Sequence, residues 1–404
     1  MDISASLPQG FLWGAVRAGI KPSGRADLSA IVAPNACSAA AVFTTNKVQA
    51  APLVVAARHL AASGGRIRVV LVNAGNANCA TGEAGLTAAV ACCRAAATTF
   101  SCDPHEVFPS STGIIGVPLP VDKVSAALPA LQTALGDKPE HFAGLASAIM
   151  TTDTRPKTAF ATIEINGRPV RIAGVGKGAG MIHPQLAAAP HATMLVYICT
   201  DAAAEPALLQ RLLDAAVETS FNRISIDGDT STNDTVLLLA SGASGVNLAD
   251  AAVPLFGRAL TDVCVSLAKQ IVADGEGATH LVELNIRGAA SDADALRVAK
   301  AIAHSPLVKT AWAGNDPNWG RLIAATGYSG AAVDPARISI RLGDLLICER
   351  GGRASGFDEG AAHRYLSQPE FTVEVDLGIG NGECRFWTCD LTQDYVAINA
   401  DYST

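Results

Sequence analysis

The chain has 404 residues, 49% of them apolar and 17% charged, with a formal net charge of −7. Such a composition can fill a sizeable core, and an acidic balance without a basic block argues against a nucleic-acid surface. No apolar run reaches the roughly eighteen residues that span a bilayer. Asp2 stands where a signal peptide carries Lys or Arg, so a cytoplasmic protein with no membrane association is expected.

The first third alternates strands and helices. "RIRVVLVNAG" (66–75) is a β-branched run closed by a glycine, and the Ala-rich segment 83–100 is a helix whose small side chains imply close packing. Residues 106–116 return as strand and loop, and 120–135 is helical with Pro129 expected to break it. Residues 160–176 form a hairpin around Asn166-Gly167, the dipeptide that type I′ turns favour. After residue 193 a strand ("MLVYICTDA"), an amphipathic helix (205–220) and a strand–polar loop–strand unit (223–242) follow. A long helix then passes through a glycine loop into the strand ending near 286, a helix covers 292–305, and 314–330 reads as a loop. The remainder is β-rich, so the class is α/β, layered and mixed.

Most motifs that invite chemistry fail on inspection. "GVGKGAG" (174–180) fails as a phosphate-binding loop, because Arg171, six residues before Lys177, and Gly178 after it stand where such a loop needs Gly and Ser or Thr. It also resembles a dinucleotide fingerprint, but Pro184 leaves no room for the crossover helix. "DGDTSTND" (227–234) spaces its carboxylates like a calcium loop, yet has Thr232 at the glycine position and no closing Glu. A polar turn is the better account. Ten cysteines without a CxxC pair read as reduced, buried hydrophobes, and eight histidines without HExxH offer no metal site. "SSTGIIG" (110–116) reads as a strand edge, or else presents Thr112 and the Gly113 peptide to a developing oxyanion.

Thr193 is the remaining oddity. It follows the small residue Ala192 and opens a buried strand. Either it is an ordinary strand start, or its hydroxyl attacks the preceding carbonyl and water releases a new N-terminus. The freed amine, with an ordinary pKa of about 7.7–8.0, would then be the base for its own hydroxyl.

Several ordered motifs decide between these. "IMTTDTRPK" (149–157), "KGAGMIHP" (177–184), "ATMLVYICTDA" (192–202), "SFNRISIDGDTSTNDTVLLL" (220–239), "AKQIVADGEGATH" (268–280), "DPNWGRLIAATGYSG" (316–330) and "DYVAINADYST" (394–404) together resemble the ornithine acetyltransferases. These are the glutamate N-acetyltransferases of arginine biosynthesis, and the likeness extends over essentially the whole chain. The resemblance implies a two-lobed α/β fold, self-cleaved at Ala192-Thr193 into a 1–192 α chain and a 193–404 β chain that assemble as an α2β2 heterotetramer. It further implies ping-pong transfer of acetyl from N-acetylornithine to glutamate through an acetyl-threonine. By that resemblance Thr193 is the nucleophile and Thr112 and Gly113 are the oxyanion donors. Thr151 (or its neighbour Thr152), Lys177, Thr193, Glu276, Asn399 and Thr404 would contact substrate. Lys177 suits a carboxylate and Glu276 an ammonium.

No resident cofactor or metal is implied, and acetyl-CoA remains open as a co-substrate. One departure is "QLAAAPHA" (185–192), about five residues longer than the family pattern by eye. Deleting 188–191 with one neighbour, while keeping Ala192-Thr193, should leave cleavage intact if the segment is only extra length. The alternatives are a self-cleaving amidohydrolase or aminopeptidase of the N-terminal-nucleophile type, and an uncleaved binding protein.

Overall fold

The computed structural model describes residues 6–187 and 194–401. In chain order the elements are β1 (Leu12–Val16), β2 (Leu28–Thr44), α1 (Ala51–Ala62), β3 (Arg66–Asn76), α2 (Gly82–Phe100), β4 (Val107–Ile114), α3 (Val121–Thr133) and α4 (Pro139–Ala148). Next come β5 (Lys157–Ile165), β6 (Arg168–Lys177), β7 (Leu186–Ala187), β8 (Leu195–Thr200), α5 (Pro206–Glu218), β9 (Ile224–Ser225), β10 (Thr235–Ala240) and α6 (Ala252–Ala273). The chain ends with β11 (Leu281–Ala289), α7 (Asp292–Ala303), α8 (Pro306–Ala313), α9 (Trp319–Gly327), β12 (Ser339–Leu342), β13 (Leu345–Glu349), β14 (Gly352–Arg353), α10 (Glu359–Leu366), β15 (Glu370–Asp376), β16 (Gly382–Cys389) and α11 (Gln393–Asp401).

Among the described residues these strands make two mixed sheets. The first runs β4-β3-β2-β10-β8-β6-β5, with β1 and β7 also paired to β2; the second runs β14-β13-β12-β15-β11-β16-β9. The first sheet is buried on both faces because its strands alternate apolar residues of both parities. Val196, Ile198, Val236 and Leu238 face a core completed by Leu209 and Leu213 of α5 and Leu260 and Leu267 of α6. Leu195, Tyr197, Leu237 and Leu239 face the opposite core, with Leu53 of α1 and Phe142 of α4. Trp387 and Cys389 of β16 join the α5–α6 core, so the second sheet is seated on the first. Helices α7, α8, α9 and α10 cover the second sheet through Val298, Trp312, Leu322 and Leu366.

The layered α/β class expected from the sequence is therefore what the chain adopts. The hairpin is also as expected, with Asn166 at φ 52° and Gly167 at φ 72°, both left-handed as a type I′ turn requires. Two details differ. Pro129 sits inside α3 without ending it, on the exposed face, where water can solvate the carbonyl the ring leaves unpaired. The segment 314–330 is not all loop, because the Asn318 side chain accepts from the Arg321 N–H and caps α9. Glycines and a proline at its edges masked that helix.

The two central strands of the first sheet come from beyond residue 193. β10 pairs antiparallel with β2, and β8 pairs parallel with β10 and antiparallel with β6. Hydrogen-bond ladders thus tie 28–44 and 168–177 to 195–200 and 235–240.

Candidate active site

A cleft opens at one end of the first sheet. It is lined by Ala77, Thr112, Gly113, Ile115, Thr151, Thr152, Lys177, Gly180, Met181, Thr232, Asn233, Glu276 and Asn399. Six sequence-predicted site residues therefore converge there: Thr112, Gly113, Thr151, Lys177, Glu276 and Asn399. Thr152, the alternative to Thr151, lines it too. Ala192, Thr193 and Thr404 lie outside the described residues. The first residue after Thr193 is described, however. Met194 is fully buried, and its N–H donates to Asp234 Oδ1.

Thr112 and Gly113 lie near the end of β4, beside β3 in parallel register. Gly113 has φ +130°, and a Cβ there would lie 2.3 Å from the Gly75 carbonyl carbon and 2.5 Å from the Asn76 nitrogen. Only glycine fits so close an approach. Thr112 is buried, and its Oγ1 accepts a hydrogen bond of 2.8 Å from Lys177 Nζ at the end of β6. Because that lone pair is occupied by the ammonium, the hydroxyl proton of Thr112 is free to point elsewhere.

Lys177 is 3% exposed, and burial pushes its pKa down while Asp153 pulls it back up. Asp153 is the counter-charge. It accepts from Lys157 Nζ at 2.6 Å, the Gly178 N–H at 2.7 Å and the Thr151 N–H at 3.0 Å. Burial alone would raise its pKa, but Lys177 and Lys157 outweigh that and hold it down at about 2. Lys157 also bonds Asp274 at 2.6 Å, so one buried network positions Thr151, the residue after Lys177, and the end of α6.

The opposite wall carries Glu276 and Asn399. Glu276 N–H donates to the Ala179 carbonyl at 2.8 Å, and its Oε2 accepts from Asn399 Nδ2 at 2.9 Å. A Cβ on Gly180 would come within 2.4 Å of that carboxylate. The loop that follows Lys177 must therefore be bare for Glu276 to reach the cleft. Asp227 takes two successive N–H groups of the same loop, from Met181 at 2.6 Å and Ile182 at 2.9 Å. Met181 is held at φ 55°. The cleft thus has an ammonium and hydroxyl on one side and a carboxylate with an amide on the other. That suits a zwitterionic amino acid better than a phosphate.

Sequence reasoning missed Asp153, Asp227, Asn233 and Asp234 as parts of this site. The stretch 227–234 is a polar turn, as read, but its side chains reach out to other elements. Asn233 Nδ2 donates to the Ala77 and Ser111 carbonyls at 2.7 and 2.8 Å. Asp234 is wholly buried, which pushes its pKa up to about 8 against the pull of the Met194 N–H and Lys177. The cysteines are free, nearly all of them buried, and among the described residues no three metal-type side chains cluster. His183 packs edge-on against His304, at 4.3 Å between ring centroids.

The comparisons with known proteins identify a family. The chain is 45% identical over 399 residues to the arginine biosynthesis bifunctional protein ArgJ of Geobacter sulfurreducens, spanning 98% of this chain and 99% of that one. It is 46% identical over 404 residues to the protein of the same name from Symbiobacterium thermophilum, spanning 99% and 98%. A crystal structure of arginine biosynthesis bifunctional protein argJ from Bacillus halodurans is 46% identical, with a TM-score of 0.50 over 51% of this chain and 98% of its own. The sequence profile of one family matches residues 12–404. The chain belongs to the ArgJ family.

Proposed function

We propose that this protein is a self-cleaving N-acetyltransferase of arginine biosynthesis, carrying acetyl from N-acetylornithine to glutamate on Thr193. The observation that carries the reading is the convergence of Thr112, Gly113, Thr151, Lys177, Glu276 and Asn399 on one cleft beside the start of β8. Thr193 Oγ attacks the Ala192 carbonyl, and the acyl group shifts from nitrogen to oxygen and so frees the Thr193 amine. Water then hydrolyses the ester to release the Ala192 carboxylate and restore the hydroxyl. In turnover that amine takes the hydroxyl proton as Thr193 attacks the acetyl carbonyl. The proton passes to the leaving ornithine nitrogen, and glutamate's amine then attacks the acetyl-threonine by the reverse path.

Thr112 and the Gly113 N–H hold the charge on the carbonyl oxygen. Glu276 and Asn399 take the substrate ammonium. Lys177 has its ammonium on Thr112, so its part is to charge that hydroxyl as well as to attract a carboxylate.

The 1–192 and 193–404 chains stay together after cleavage because the β2–β10 and β6–β8 ladders cross the division. The Bacillus halodurans chain, 98% of which spans only 51% of this one, supports a two-chain product. Two such pairs form the α2β2 assembly, which works in the cytoplasm. The relatives are called bifunctional, which supports acetyl-CoA as a second acetyl source for the same threonine.

Thr193→Ala tests the reading: it should remain one full-length inactive band, while wild type gives two bands near half size. Wild type given N-acetylornithine alone should gain one acetyl on the fragment beginning at Thr193, and glutamate should remove it. Acetyl on another residue, cleavage of Thr193→Ala, or acetate in place of N-acetylglutamate would each overturn the assignment.

A further inference from the structure

The turn 232–235 is a polar motif of the cleft that the chemistry above leaves without a task. Its two central side chains point in different directions. Asn233 is 1% exposed, and its amide group donates to the carbonyls of Ala77 and Ser111. Ala77 directly follows β3, and Ser111 immediately precedes Thr112. The Asn233 side-chain oxygen accepts from Thr232 Oγ1 at 2.9 Å within the turn, so both ends of the amide are engaged and its nitrogen ties the turn to the ends of β3 and β4. Asp234 instead holds the N–H of Met194, and the Thr235 N–H bonds the Met194 carbonyl at 2.6 Å. Both backbone groups of Met194 are therefore fixed by consecutive residues of the turn. The peptide bond to residue 193 leaves from this fixed point.

We infer that Asn233 and Asp234 are a positioning pair that sets the register between the nucleophile and the oxyanion donors, in self-cleavage and in acetyl transfer alike. The inference rests on Thr193 as nucleophile, as proposed above. Its physical basis is that nucleophile and oxyanion donors sit on different strands, β8 and β4, with β10, β2 and β3 between them in the sheet. Accumulated twist across that many strands leaves the relative placement of their ends loose. A rigid turn bonded to both ends removes that freedom, and an error of about 1 Å in such geometry costs about 100-fold in rate.

The hydrogen-bond directions give the pair an asymmetric signature. Position 233 must donate to two carbonyls, and position 234 must accept from the Met194 N–H. Nearly isosteric exchanges separate these demands from mere packing.

Asp234→Asn keeps an acceptor and should cleave and turn over within about threefold of wild type. Asn233→Asp replaces the donor with a carboxylate facing two carbonyl oxygens. It should lower both the cleavage rate and kcat by about 100-fold, with KM little changed, because both ends of the Asn233 amide are taken by protein groups. Asp234→Ala should lose cleavage by a similar factor. Circular-dichroism melts on the same samples show whether each variant is folded, and Asp234→Asn keeps the test decisive if Asp234→Ala is not. Equal damage from Asp234→Asn and Asp234→Ala would overturn the inference, as would wild-type cleavage and kcat in Asn233→Asp. Failure of wild type to cleave or to carry acetyl on Thr193 would instead refute the function proposed above, so the two failures are distinct.

Discussion

Replacing Lys177 with Met separates two roles for the buried ammonium. Its Nζ lies 2.8 Å from Thr112 Oγ1, so one role is to polarise that hydroxyl and turn its proton toward the cleft. The other is to bind a substrate carboxylate directly. Lys177→Met should fold, since Asp153 keeps Lys157 at 2.6 Å and the N–H groups of Gly178 and Thr151. If the ammonium acts through Thr112, losing it removes one oxyanion donor, a cost of about 10²–10³ in kcat, or about 3–4 kcal/mol. Thr112→Ala should cost the same, and the double variant no more than either alone, because both remove one interaction. Additive action would put the double variant at about 10⁴–10⁶ below wild type. The assay is steady-state transfer from N-acetylornithine to glutamate, on protein whose cleaved fraction is first measured on a denaturing gel. A raised KM with unchanged kcat in Lys177→Met, or additive losses in the double variant, would refute action through Thr112.

Two further outcomes follow from the same geometry. Gly113→Ala must place a methyl 2.3 Å from the Gly75 carbonyl carbon at φ +130°, so calorimetry should read a loss of about 1–3 kcal/mol. Transfer should fall at least about 10-fold, and an unchanged melt and kcat would contradict the close approach of β3 and β4. Asp234→Asn addresses pH. A carboxyl raised to about 8 by burial stays protonated in the folded chain while the unfolded chain releases its proton near pH 4, so stability falls as pH rises between those values. Asn has no proton to hold, so its melting temperature should exceed that of wild type progressively from pH 4 to pH 8. A difference independent of pH would show that Asp234 is not held protonated.

The amino-acid sequence by itself determined what depends on neighbours within a turn or two. Helices and strands are legible where apolar residues keep a period of 3.6 or 2, and Asn166-Gly167 specified its hairpin because only such residues accept two left-handed conformations in a row. Where local signals conflicted, the reading failed. Glycines beside α9 outweighed the Asn318 cap, and Pro129 looked like a break because its exposed position was not visible. The residues that line the cleft were legible only through ordered motifs that match a family, since no spacing rule links Thr112 to Glu276 or Asn399.

Tertiary structure alone brought those residues to one cleft, by inserting β8 and β10 between β2 and β6 and packing α6 against the sheet. It also decided what their neighbours do. Asp153, Asn233 and Asp234 look like ordinary turn residues in the sequence, because a carboxylate or amide there can bond its own backbone. They became structural partners of Lys177, Ser111 and Met194 only when strand register buried them beside those groups, where a polar atom without a partner is costly.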